Sequence, residues 1–255
     1  MVERLGLIFT AIGTIVSIVA LPESIYRLGL IMLLALTGAA MAIHMMVNTL
    51  SLRRSRASLQ ALRALGIEQV TGSGRFQELY DRISTSREIK IMAVSAETFV
   101  RLGENAIITA LVECNCHVKV LIAKSGSSLV TEVERLEGVN RLGQIHTEII
   151  HTRERLKEIV ERAQKQSRSR NGSVGRIWIG SYESAIRNSM VICDNSWCWF
   201  TPYFPPKRAV DGVSLVLRPA ARGLLEDCIH HFDSVWQLYE DEVEEVSVTT
   251  KNQVP

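Results

Sequence analysis

Two stretches at the front of the chain, residues 5–21 (LGLIFTAIGTIVSIVAL) and 28–47 (LGLIMLLALTGAAMAIHMMV), contain no Asp, Glu, Lys or Arg. As helices rising about 1.5 Å per residue they reach about 26 and about 30 Å, close to the thickness of a bilayer core. Between them PESIYR supplies Pro22, which ends a helix, and Tyr26, which suits a membrane interface. The pattern predicts a transmembrane helical hairpin over 1–47. A cleaved secretion signal is the competing reading of the first stretch, but no small-x-small cleavage pattern precedes Leu21 and a full second span follows at once.

Residues 48–65 (NTLSLRRSRASLQALRAL) keep a helical spacing, with Leu52, Leu59 and Leu62 opposed to arginines. They predict a basic juxtamembrane helix whose pattern breaks at Thr71-Gly-Ser-Gly74, so that 48–72 forms stalk and hinge. Arg53, Arg54 and Arg56 either touch anionic lipid headgroups or only obey the topology rule. Beyond the hinge the periods alternate. Helices are expected over 75–83, 98–113, 129–136, 143–166 and 220–239, and strands over 88–94, 117–123, 176–179, 189–193, 197–201 and 214–217. Helix and strand in alternation mean parallel neighbours joined by right-handed crossovers, while Asp194-Asn195-Ser196 reads as a tight hairpin turn. The expected fold is therefore α/β: the hairpin, then a mixed sheet covered by helices over 73–240, with a loose acidic and polar tail over 241–255.

Charge sharpens the topology. The excess of arginine after Val47, with no acidic residue until Glu68, places the following chain and both termini in the cytoplasm. There the five cysteines, an odd number, are expected to be reduced. Cys114-Asn-Cys116 beside His117 lacks a second ligand cluster at metal-site spacing, so neither a metal nor any other cofactor is expected. The basic loop KQSRSRNGSVG has no interleaved aromatic residue and reads as a solvated connection. Trp197, Trp199, Phe200, Tyr203 and Phe204 invite a stacking platform for bases, but Trp197, Trp199 and Thr201 share one strand face and Cys198 and Phe200 the other, so one of the two sets is expected to be core.

Within the hairpin, small and hydroxyl residues fall in rows four apart: Thr10 in line with Gly6 and Thr14, Gly13 with Ser17, and Gly38 with Ala42. Such rows permit close helix contact and homo-oligomers. His44 lies about one turn inside the inner interface, where an ionisable group is a functional candidate. Ordinary self-packing of the hairpin is the alternative.

The strand EIKIMAVSAE, the segment ALVECNCHVKVLIAKSGS and the hairpin RNSMVICDNSWCWFTPYF together resemble one half of the phospholipase D fold. That family carries His-x-Lys-x-x-x-x-Asp at the hairpin. Here Arg187 stands at the His position, Ser189 at the Lys position, and only Asp194 matches. The resemblance implies a shell that no longer cuts phosphodiesters, since the nucleophilic His is missing. An emptied shell of this kind implies an anion or nucleotide pocket built from Arg187 and Ser189, with Lys124 and Ser125 after an apolar strand as further candidates. Pairing of Arg187 and Lys124 with surface carboxylates is the competing reading. Asp194 is expected to be structural.

The arrangement as a whole resembles two-span toxic effectors of bacterial anti-phage systems, of retron or cyclic-nucleotide type. That likeness implies an inner-membrane protein that assembles on lipid and permeabilises the membrane when a nucleotide, a nucleic acid or the loss of a repressor protein triggers it. A membrane-tethered phosphodiesterase or nuclease, and a non-toxic signalling or scaffold protein, are the alternatives.

Overall fold

The computed structural model describes residues 37, 44, 58–72, 76–138, 142–169, 173–183, 188–204, 208, 211–221 and 223–247. The chain divides into two compact units, Met1–Gln60 and Ala61–Pro255. In the first, Thr37 and His44 are helical and exposed, and the rest of the expected hairpin lies outside the described residues. Thr10, Gly13, Ser17, Gly38, Arg53, Arg54, Arg56 and Arg187 are likewise outside them. Among the described residues no helix is long and apolar enough to cross a membrane.

The second unit is built on one eight-stranded mixed sheet in the order β1-β7-β6-β5-β2-β3-β4-β8. Its strands are β1 (Ile67–Thr71), β2 (Glu88–Ala93), β3 (His117–Ala123), β4 (Arg176–Tyr182), β5 (Asn188–Cys193), β6 (Trp197–Pro202), β7 (Ser214–Leu217) and β8 (Glu244–Glu245). The helices are α1 (Gln77–Ser84), α2 (Glu97–Glu113), α3 (Ser128–Glu137), α4 (Gln144–Arg168) and α5 (Leu224–Leu238). Strands β2, β3 and β4 run parallel, and α2, then α3 and α4, supply their crossovers. Their near-continuous apolar runs, such as the buried Val120–Ala123 of β3, are what a strand covered on both faces requires. Strand β5 turns back against β2 and forms the hairpin with β6, pairing Cys193 with Trp197 and Ser189 with Thr201.

The turn between β5 and β6 has positive φ at both Asp194 (51°) and Asn195 (49°). Two left-handed residues match the right-handed twist of the flanking strands, and Asp and Asn tolerate that region. Trp197 and Trp199 are each 1% exposed, so the tryptophans are core. Trp199 meets Phe76 at 5.9 Å between ring centroids, and Phe76 meets Phe99 of α2 edge-on at 5.9 Å. On the other sheet face α5 lays Phe232 and Trp236 over Lys90 and Lys119, with the Lys90 ammonium 2.8 Å from Asp233.

Two elements differ from the sequence expectation. The segment IEQVT, assigned to the stalk and hinge, is edge strand β1 paired antiparallel with β7. Its middle three residues are exposed, so it carries no alternation to read, and it is held by pairing across about 150 residues of sequence. The tail expected to be loose from Glu240 instead makes a 3-10 turn at Glu240–Glu242 and adds β8 to the β4 edge. Glutamate is a poor strand former, and here it is fixed by cations on the body of the domain.

Candidate functional site

The carboxyl ends of β2, β3 and β4 and the amino end of β5 meet at one sheet edge, because β5 enters antiparallel beside β2 with Met92 opposite Met190. At this edge a small cleft of about 50 Å³ opens between β2, the start of α2, the start of β5 and α4. Its wall holds Ser95, Glu97, Thr98, Phe99, Glu137, Glu148, Asn188, Ser189, Tyr203 and Arg208. Open α/β sheets place ligands at this edge, where the chain leaves the strands in irregular turns.

The turn from β2 into α2 is unusual. Ala96 has φ 58°, a left-handed conformation that is strained for alanine, and it serves as the helix N-cap without any side-chain hydrogen bond. The first bond of the helix runs from Val100 N to Ala96 O at 3.0 Å. The N–H groups of Glu97, Thr98 and Phe99 therefore lie ahead of the helical ladder, at the positive end of the helix dipole and in the wall of the cleft.

Opposite them stands the start of β5. Ser189 is 6% exposed and lines the cleft. The Oδ1 atom of the neighbouring Asn188 is buried and has no hydrogen-bond partner among the described residues. Glu148 on α4 crosses the cleft floor: it accepts from Ser95 Oγ at 2.9 Å and from Arg208 Nη2 at 3.2 Å. Thr152, one helical turn on, donates to the Ser95 carbonyl at 2.8 Å and so fixes the β2 exit against α4. The Tyr203 hydroxyl donates to Glu137 at 3.0 Å, and Glu97 pairs with Arg101 at 2.8 Å.

Of the residues singled out in the sequence, Ser189 is in this wall, and Arg187, one residue before Asn188, lies outside the described residues. Lys124 and Ser125 stand on the same sheet edge, outside the cleft's described wall. The Lys124 ammonium is 2.8 Å from Glu242 and 2.9 Å from Glu183, and these hydrogen bonds hold its pKa above the ordinary lysine value. Ser125 Oγ is 2.7 Å from His146 Nδ1. Asp194 is at the opposite end of β5. Its Oδ1 accepts from the backbone N–H of Arg87 at 2.8 Å and of Glu88 at 3.0 Å, which ties the β5–β6 turn to the start of β2.

Ser95, Glu148 and Arg208 were not singled out in the sequence. Ser95 had a usable signal, a hydroxyl directly after an apolar strand. Glu148 is one of many charges on a long amphipathic helix, and Arg208 lies in a proline-rich connection, so only the fold brings them to the cleft. At the far edge Cys114 and His117 border an open hollow, with Cys114 Sγ 3.7 Å from the Ser84 carbonyl. All five cysteines carry free thiols. Among the described residues no three His, Cys, Asp or Glu side chains are grouped to hold a metal ion.

No protein-family profile and no curated protein sequence matches the chain. Among solved structures it is similar to Nuc, a phospholipase D family member from Salmonella typhimurium, at 14% identity and a TM-score of 0.40, over 69% of this chain and 95% of that one. It is also similar to a phosphatidylserine synthase of Haemophilus influenzae Rd KW20, at 11% identity and a TM-score of 0.41, over 69% of this chain and 38% of that one.

Proposed function

We propose that the folded domain is a phospholipase D-like shell whose cleft holds the phosphoryl group of a phosphodiester or phosphomonoester without cleaving it. The observation that carries this reading is Ser189, nearly buried in the cleft wall and facing the uncapped start of α2. A phosphoryl group supplies what this corner lacks: acceptor oxygens for the Ser189 hydroxyl and the N–H groups of Glu97, Thr98 and Phe99, and negative charge at the positive end of a 17-residue helix. Arg208 adds guanidinium donors, since its contacts to Glu148 both use Nη2. The three carboxylates of the wall are each engaged by a described donor, Glu97 by Arg101, Glu137 by Tyr203 and Glu148 by Ser95 and Arg208. Their engagement lowers the repulsion that an incoming anion meets.

Binding without turnover follows from the residue types. Phosphodiester cleavage on this shell uses a histidine nucleophile, and the matching positions here are Arg187 and Ser189. Among the described residues no histidine lines the cleft. The test is calorimetric titration of the chain with inorganic phosphate, glycerol 3-phosphate and dimethyl phosphate, run beside a turnover assay with bis(p-nitrophenyl) phosphate. Saturable binding that weakens in Ser189→Ala and Arg208→Ala, with no release of nitrophenol, is the expected result. Absence of binding sinks the proposal, and turnover that disappears in Ser189→Ala replaces it with a hydrolase.

For residues 1–47 the proposal rests on sequence alone: a lipid-embedded hairpin that anchors the domain in a bacterial inner membrane, both termini cytoplasmic, and that assembles into a lesion when the domain receives its cue. Entry of a membrane-impermeant dye on induced expression, abolished by Gly13→Leu or Gly38→Leu with insertion intact, is the expected outcome. Full dye entry from a chain carrying an unrelated hairpin of equal length would refute the lesion and leave only the anchor.

A further inference from the structure

The acidic segment after α5 lies across the outer edge of β4. Three of its side chains meet cations fixed on three different elements. Glu242 is 2.8 Å from Lys124 at the end of β3, Glu244 pairs with Arg153 of α4, and Glu245 is 3.9 Å from Arg176 of β4. Arg153 also donates to Ser181 Oγ at 2.6 Å, so its guanidinium is held at the edge by the body of the domain as well as by the segment. We propose that this edge is a docking site for an extended acidic polypeptide, and that the chain's own residues 240–246 fill it in cis.

The recognition is that of a strand. Trp178 stands opposite Glu245 and Ile179 opposite Glu244, and Val246 N donates to the Ile177 carbonyl at 2.9 Å. Backbone pairing of this kind selects a polypeptide over a polyphosphate chain, and side chains at alternate positions then read the sequence. The edge also reads shape. A Cβ at Gly180 would lie 3.2 Å from a Val243 methyl and 3.0 Å from Leu121 Cδ2, so glycine there admits a β-branched side chain from the docking strand. Val246 completes the contact at 7% exposure. The partner therefore presents Val-Glu-Glu-Val or a close equivalent.

Exchange is possible because the cis segment is held lightly. It contributes a two-residue strand to a seven-residue one, so a longer strand has further ladder positions to fill toward the ends of β4. Its glutamates are largely exposed, and exposed ion pairs contribute about 0–1 kcal/mol each. A longer strand of the same chemistry gains the remaining ladder bonds.

The test uses the detergent-solubilised full chain and a fluorescent peptide of sequence EDEVEEV, followed by anisotropy. In the wild-type chain the cis segment competes. In the variant Glu242→Lys/Glu244→Lys/Glu245→Lys it is repelled from Lys124, Arg153 and Arg176, so the peptide binds at least about tenfold more tightly. Val246→Asp, a single change outside the ion pairs, should act in the same direction and serves if the triple variant fails to fold. Arg153→Ala in either background should reverse the gain, and a peptide with Pro in place of the first glutamate after Val should not bind. Equal affinity for wild type and both strap variants overturns the proposal. So does equal binding of the Pro peptide or of a thymidine oligonucleotide, either of which would make the edge a general polyanion surface.

Discussion

Replacing Asp194 by alanine removes two things at once, and a series of substitutions separates them. The carboxylate accepts from Arg87 N and Glu88 N, and the residue sits at φ 51°. Both bonds are at the solvent-accessible end of the sheet, so each contributes about 1 kcal/mol, below the usual range for bonds to a charged group. Alanine in the left-handed region costs about 1 kcal/mol more, which brings Asp194→Ala to about 3 kcal/mol. Asp194→Gly loses the bonds but not the conformation, about 2 kcal/mol, and Asp194→Asn keeps one acceptor and tolerates the conformation, about 1 kcal/mol. For a domain of this size about 3 kcal/mol lowers the melting temperature by about 9 °C. Buried Trp197 and Trp199 report unfolding by fluorescence, read against urea or temperature. The expected order of stability is wild type, Asn, Gly, Ala, with the phosphate binding proposed for the distant cleft unchanged in every variant that remains folded. An alanine variant as stable as the asparagine one would refute the reasoning, and loss of phosphate binding in a folded Asp194→Asn protein would show that the residue acts beyond its turn.

Gly175→Ala would place a Cβ 2.0 Å from the Cys116 carbonyl oxygen, backbone against backbone, so we expect a loss of about 3 kcal/mol or failure of the β3–β4 pairing, read by urea denaturation. Asp233→Ala leaves the Lys90 ammonium, 4% exposed, without its nearest partner; because Asp233 itself is half exposed the loss should be about 2 kcal/mol, below the fully buried case, and Lys90→Met/Asp233→Leu should recover it. Burial pushes the Cys193 thiol from 9.0 up to about 12. The folded state therefore holds a proton that the unfolded state releases, and stability should fall by about 1.4 kcal/mol per pH unit as pH rises from about 9 toward about 12, a slope that Cys193→Ala reduces in paired urea titrations at pH 8 and 10.5.

Where a segment's own residues decide its structure, the sequence was enough. The apolar run HVKVLIA gave β3 with both ends right, the alternation of helix and strand gave the parallel β2–β3 pair, and Asp194-Asn195 announced a turn that needs two left-handed residues. The period of two along WCWFT told that Trp197 and Trp199 share a face, and the sheet buries both. What the sequence left open is set by partners distant along the chain. IEQVT becomes a strand only because β7 offers it a ladder, and the glutamates after α5 become ordered only because Lys124, Arg153 and Arg176 converge on them. The cleft is of the same kind. Ser189 was singled out as the residue at the family's Lys position, but its meeting with the uncapped start of α2, with Glu148 and with Arg208 depends on β5 entering antiparallel beside β2. Local periodicity encodes which face of an element is buried; which elements share an edge is a matter of long-range pairing, and that is where the tertiary structure made the site.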